Sequence, residues 1–207
     1  MAVPGILMRL SEGLSSTTLP LPGIEALYTL RADDNEKPRN NTVYFLNDIS
    51  PLLSAKDQYD DDSATNNDVS WIICSFINGR DISTPKDGAP QTSPHKLPTP
   101  AALESVLVVN GSTPRPDKEA DYHAWYDQEH GAKLTQVPGW TAARRYAHVK
   151  SYGASETASF YGLNFYEEEN GLGGPEWKAG VTDWTLRIRS NAAKPNIRRV
   201  WKVMATQ

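Results

Sequence analysis

The two halves of this chain echo each other, and that echo limits what it can fold into more than any other feature. Leu21-Pro22-Gly23-Ile24-Glu25-Ala26 is answered by Val137-Pro138-Gly139-Trp140-Thr141-Ala142, and Tyr44-Phe45-Leu46-Asn47 by Tyr161-Gly162-Leu163-Asn164. A third pair sets Ser70-Trp71-Ile72-Ile73-Cys74 against Val200-Trp201-Lys202-Val203-Met204. Each pair alone is weak, but three in the same order suggest duplication. A chain of 207 residues with 39% hydrophobic and 22% charged residues has enough apolar material for one mid-sized domain or two small ones.

The second half reads as a complete unit. Alternating or continuous apolar runs predict strands near 105–110, 140–149, 158–166 and 197–205, with helices over 118–135 and 174–190. Asp117 is the expected N-cap of the first helix and Pro138-Gly139 its stop, while Pro175 suits the first turn of the second. That order, βαββαβ, predicts a ferredoxin-like unit in which two helices cover one face of an antiparallel sheet. In the first half, residues 10–21 are rich in Ser, Thr, Gly and Pro, so the first helix is expected to be missing. What remains predicts a strand ahead of that loop, then strands over 25–32, 42–46 and 69–76 with a short helix over 50–58. The expected fold class is therefore α+β, with two tandem ferredoxin-like (βαββαβ) repeats, the first lacking its first helix. The expected divisions are 1–83, a Pro-rich linker over 84–103, and 104–207. The linker or the 10–21 loop is expected to lie over the sheet face that the missing helix leaves bare. Asp60-Asp61-Asp62 reads as a solvated loop, because its carboxylates lack the spaced glycine of a calcium loop.

Several function classes are disfavoured. A net charge of −4 and a pI near 5.6, with no basic stripe beyond Arg187, Arg189, Arg198 and Arg199, argue against nucleic-acid binding. No long apolar run and no secretory leader are apparent, so no membrane association is expected. The lone Cys74 sits in an apolar strand-like run, which fits a reducing, cytoplasmic setting. Gly171-Leu172-Gly173-Gly174 precedes a helix but follows Glu167-Glu168-Glu169, which would repel phosphate.

Chemistry concentrates in Asp121-Tyr122-His123-Ala124-Trp125-Tyr126-Asp127-Gln128-Glu129-His130. At about 100° per residue, His123, Asp127, His130 and Leu134 share one helical stripe with Tyr122 and Tyr126 beside it. Polar-tipped rings on such a face point to a pocket wall, since each buried polar atom needs a partner. The alternative is a solvated His123 and Asp127 with tyrosines that merely fill core. His-x-x-x-Asp-x-x-His is compatible with metal spacing but offers no fourth ligand, so neither metal nor organic cofactor is expected.

These residues, with Arg144-Arg145-Tyr146 and Glu169-Asn170-Gly171-Leu172-Gly173-Gly174-Pro175-Glu176, resemble the EthD-like branch of the dimeric α+β barrel superfamily, particularly its fungal two-repeat, fused type. The resemblance covers nearly the whole second half. It implies two ferredoxin-like units packed sheet against sheet in a dimeric-α+β-barrel-like architecture, with a ligand cavity between one sheet and its helices. One chain would supply both units, as a monomeric fused pseudo-dimer or a homodimer. It also implies a cofactor-independent enzyme of secondary-metabolite biosynthesis, a lyase, isomerase or cyclase, acting on a small hydrophobic, oxygenated organic substrate. A cofactor-free monooxygenase, a haem protein with His130 as axial ligand, and a non-catalytic ligand-binding accessory protein are the alternatives. The candidate catalytic residues are His130 as acid or base, Tyr126, His123 and Asp127. The candidate substrate-binding residues are Tyr122, Trp125, Trp140, Tyr146, Tyr161 and Asn164. The last three stand on strands whose facing cannot be fixed from alternation alone.

Overall fold

The computed structural model describes residues 1–13, 21–54, 69–85, 88–92 and 95–207. Eight antiparallel strands form a closed barrel: β1 (Gly5–Ser11), β2 (Ile24–Ala32), β3 (Asn40–Leu46), β4 (Val69–Asp81), β5 (Val106–Ser112), β6 (Trp140–Tyr152), β7 (Phe160–Tyr166) and β8 (Ile197–Thr206). Around the barrel they run β1-β3-β2-β8-β5-β7-β6-β4, and β4 closes back onto β1. Each half supplies four neighbouring strands. The halves join along β2–β8 and along the two thirteen-residue strands β4 and β6, which pair from Trp71↔Tyr152 to Asp81↔Ala142.

This corrects the expected pair of ferredoxin-like α+β repeats. The molecule is one closed, mostly β barrel with few and short helices. The physical reason is edge pairing, since closure gives every strand a hydrogen-bonded neighbour on both sides. Inward positions from both halves then merge into one apolar cluster, including Ile6, Val43, Phe45, Ile72, Leu107, Leu163, Phe165, Trp201 and Val203. In the first half the only helix among the described residues is α1 (Ser50–Ser54), shorter than expected; residues 55–58 of that expectation, and Asp60-Asp61-Asp62, lie outside the described residues.

The expected 118–135 helix is segmented. A 3-10 turn at Pro116–Lys118 leads into α2 (Glu119–Trp125), a π-turn at Tyr126–His130, and α3 (Gly131–Leu134). Asp117 lies inside the 3-10 turn and does not cap it; Pro116 opens that turn. The second expected helix is two, α4 (Pro175–Ala179) and α5 (Asp183–Ser190), the latter capped by the Thr182 side chain, which accepts from the Thr185 amide. These pieces cover the outer face of β5 and β7. The described part of the linker does not lie over the outer face of the first half, and residues 14–20 of the loop offered as its alternative lie outside the described residues. It closes one end of the barrel, where Leu97 joins the interior cluster and His95 packs beside Phe45 and Phe76. Arg144 fixes it there by donating to the His95 and Lys96 carbonyls, and pairs with Asp81 at 3.1 Å. Among the described residues, no helix is long and apolar enough to cross a membrane.

Candidate active site

The π-turn decides which side chains meet. Five residues apart on an α-helix, Trp125 and His130 would point about 140° apart. The π-turn closes five residues on, with Gly131 N–H donating to the Tyr126 carbonyl, and brings them onto one face. Their rings stack at 4.2 Å and 18°, while Tyr126 meets His130 edge-on at 5.4 Å. Gly131 allows this turn, because a Cβ there would stand 2.9 Å from the Tyr126 carbonyl and 3.1 Å from Arg80 Nε. The stripe expected at α-helical spacing therefore splits. His130 goes with Trp125 and Tyr126, and His123 and Asp127 go elsewhere.

What takes His123 and Asp127 is Arg145 on β6, a buried side chain with 2% exposure that the sequence reading did not single out as a site residue. Its guanidinium donates to Asp127 Oδ1 at 2.6 Å and to His123 Nδ1 at 2.6 Å, and lies 4.3 Å from the centre of the Tyr126 ring. A guanidinium can only donate, so His123 Nδ1 is an acceptor and that ring is neutral. Burial and the Arg145 charge hold its pKa below the ordinary value. Asn78 and Arg80, on β4 of the first half, donate to the Asp127 carboxylate and carbonyl at 3.1 and 2.9 Å. This cluster clamps the helical segment to the barrel. A signal was present in Ala142-Ala143-Arg144-Arg145-Tyr146, since two arginines in an apolar strand must each find a partner.

Between the helices and the outward face of β5 and β7 lies a cavity of about 130 Å³. His130, Tyr126, Tyr122, Trp125 and Asn164 all line it. Two of their polar atoms, His130 Nδ1 and Asn164 Oδ1, are buried without a hydrogen-bond partner, and the Tyr126 phenol meets the Asn164 side chain. Gly162 makes room for the phenol, because a Cβ there would approach Tyr126 Oη to 3.1 Å. The other five candidates lie elsewhere or serve the clamp. Tyr146 and Tyr161 point into the barrel, Trp140 packs with Val106, Leu134, Val137 and Tyr166, and neither His123 nor Asp127 lines the cavity. Among the described residues, no three His, Cys, Asp or Glu side chains converge in a way that could hold a metal ion.

The electrostatics favour neutral bases and developing anions. His130 as a whole keeps some contact with solvent, but Nδ1 has none; burial, then Arg189 and Arg145, push its pKa down to about 3. The imidazole is thus neutral at pH 7 and able to accept a proton. Burial pushes the Tyr126 phenol up to about 12, so it remains a donor. Lys133, Arg189 and Arg198 also line the cavity, against a single acid, Glu176. Asn110, Arg189, Asn196 and Arg198 continue into an adjoining open cleft. The roof is held in place by Trp125 Nε1 donating to Thr185 Oγ1 at 3.2 Å and Thr182 Oγ1 donating to Glu129 at 2.5 Å.

No protein-family model and no curated protein matches this chain. Solved structures do match over its length. An anthrone oxidase-like protein aligns over 100% of this chain and 93% of its own, with a TM-score of 0.67 and 11% identity. A provisionally named monooxygenase from Fusobacterium nucleatum subsp. nucleatum aligns over 100% and 94%, with a TM-score of 0.59 and 8% identity. Another from Lactobacillus acidophilus aligns over 99% and 98%, with a TM-score of 0.54 and 9% identity. At such identities these likenesses establish a shared barrel fold alone.

Proposed function

We propose that the chain is a small-molecule enzyme that removes a proton from an activated carbon or phenol of a hydrophobic, oxygenated substrate without a metal or organic cofactor. The carrying observation is that His130 Nδ1 and Asn164 Oδ1 are unpartnered beside the Tyr126 phenol, all in one helix-covered cavity. Buried polar groups normally find partners inside the protein, and groups left unpaired around a hollow are suited to a ligand's polar atoms. Neutral His130 acts as the base, Tyr126 donates to the oxyanion that forms, and Asn164 Oδ1 accepts from a substrate hydroxyl. The surrounding arginines oppose a standing charge on the imidazole but stabilise the anion made from the substrate. About 130 Å³ encloses roughly one aromatic ring, comparable to an engineered cavity of about 150 Å³ that takes benzene. The remainder of the substrate extends into the arginine-lined cleft.

One carbanion serves several outcomes: reprotonation elsewhere, loss of a leaving group, or internal attack, giving an isomerase, lyase or cyclase. A second reading, cofactor-free oxygenation, has the carbanion pass an electron pair to dioxygen, and the oxidase and monooxygenase names of the structural neighbours favour it. A haem on His130 does not fit a hollow of this size. Membership of the EthD-like, fused type and a cytoplasmic setting complete this reading. The test is proton–deuterium exchange, followed by NMR in D2O, for a panel of single-ring hydroxyaryl ketones, with oxygen uptake recorded in parallel. Catalysed exchange that falls on the order of a hundredfold in His130→Ala supports the base. Saturable binding with neither exchange nor oxygen uptake would make the chain a ligand-binding protein.

A further inference from the structure

We propose that the open end of the barrel lumen is a second ligand site, one that takes a small, mainly apolar, uncharged molecule with a hydrogen-bond donor beside an acceptor, such as an aryl carboxamide or lactam. The two ends of the barrel differ. Linker residues fill one, whereas the other opens into a cavity of about 500 Å³, within the usual range of small-molecule sites. Met8, Ile72, Val109, Tyr161 and Trp201 form its apolar wall.

Asn41 is the anomaly in that wall. It sits on the inward side of β3 with Val43 and Phe45, opposite Leu10 on one neighbouring strand and Leu30 on the other. It is 1% exposed, yet both its Nδ2 and its Oδ1 lack a hydrogen-bond partner. Trp201, also 1% exposed, lines the same cavity with an unpartnered indole N–H. A leucine at position 41 would pack between Leu10 and Leu30 with no polar atom to satisfy, so an amide there fits a role in recognition. Asn41 can donate to and accept from one ligand group at once, and Trp201 adds a second donor.

The rim argues for a neutral ligand. Arg199 pairs with Asp34 at 2.9 Å, donates to the Glu36, Lys37 and Pro38 carbonyls, and lies 4.4 Å over the Trp201 ring. Lys37 pairs with Glu12. These bonds hold the 33–38 turn as a fixed wall, and among the described residues the one rim cation without an ion pair is Arg198, which lies over Trp177 and shares the rim with Glu36 and Glu156. The apolar wall is distinct from that of the helix-covered cavity, because Val109 and Tyr161 face the lumen while Val108, Asn110 and Gly162 face the helices; Arg198 borders both.

The experiment is titration of the whole protein with 2-naphthamide and with 2-acetylnaphthalene, which keeps the acceptor and lacks the donor, followed by tryptophan fluorescence and ligand-observed NMR. Expected are saturable one-to-one binding of the amide, about tenfold tighter than the ketone, and loss of that preference in Asn41→Leu. Ile197→Trp, which narrows the mouth without touching Asn41, should weaken both probes about tenfold and covers the case in which Asn41→Leu fails to fold. His130→Ala should change neither probe. Equal affinities, a preference that survives Asn41→Leu, no saturable binding, or a preference abolished by His130→Ala would each overturn the proposal.

Discussion

The outer faces of the two halves come from similar strands and do different work. The first half presents Leu7, Leu27, Tyr44, Leu46, Val69, Trp71 and Ile73, which pack with Ile49 and Leu52 into one apolar cluster. The second presents Val106 and Val108 at one end of β5 but Asn110 and Ser112 at the other, with Gly162 and Asn164 on β7 beside them. This face, apolar but for Arg9 held over the Trp71 ring, gains most by close packing. A face interleaved with amides, a hydroxyl and a glycine cannot be packed dry without leaving polar atoms unmet. Over that mixed face the helical segment stands clear enough to leave a cavity. The lesson is that both halves supply strands to the barrel and one supplies the candidate site.

This contrast breaks if stability and activity do not separate between the faces. The largest expected effect is Arg145→Met, which leaves Asp127 and His123 without their cation. It should cost about 2 kcal/mol in urea unfolding and abolish exchange activity, because it removes charge-assisted hydrogen bonds to Asp127, which is one-third exposed and keeps Asn78 as a donor, and to His123. Next, Leu46→Ala on the apolar face should cost about 2–4 kcal/mol while activity per folded molecule stays unchanged. A loss of turnover in the folded fraction would mean the first half shapes the site. Third, Asn164→Ala should lower exchange rates roughly tenfold with a stability change under about 1 kcal/mol, since the amide oxygen it removes has no partner to lose.

The smallest effect sharpens the electrostatic side. His95, His123, His130 and His148 are all held below the ordinary imidazole value, in each case chiefly by burial. Each takes up a proton on unfolding, so the unfolded chain binds more protons below about pH 6.5 and stability falls as pH drops. For His130 that loss runs down to about pH 3, and it is fully absent above about pH 6.5. Urea unfolding between pH 8 and pH 4 should show a plateau and then a decline, shallower in His130→Gln.

Most strands were legible because alternation and apolar runs set their period locally: Thr42–Leu46 was expected where Asn40–Leu46 is found, and 197–205 where Ile197–Thr206 is found. Closure was not legible. The seams β2–β8 and β4–β6 join residues far apart in sequence, and no local pattern encodes their register. Tyr122, Trp125, Tyr126 and His130 stood out as an unusual helix face. Their grouping did not, because a helix assumed uniform at about 100° per residue hides a π-turn. Tyr146 and Tyr161 could not be told from Asn164 by composition, as only strand parity separates the lumen from the helix-covered face.

The measurement that reaches the central claim most directly is NMR titration of the His130 ring. A neutral imidazole shielded by Trp125 and the sheet should keep its chemical shifts unchanged from pH 8 to about pH 4, with protonation near pH 3. A midpoint near 6.5, that of a solvated histidine, would contradict the enclosed base and with it the proposed chemistry.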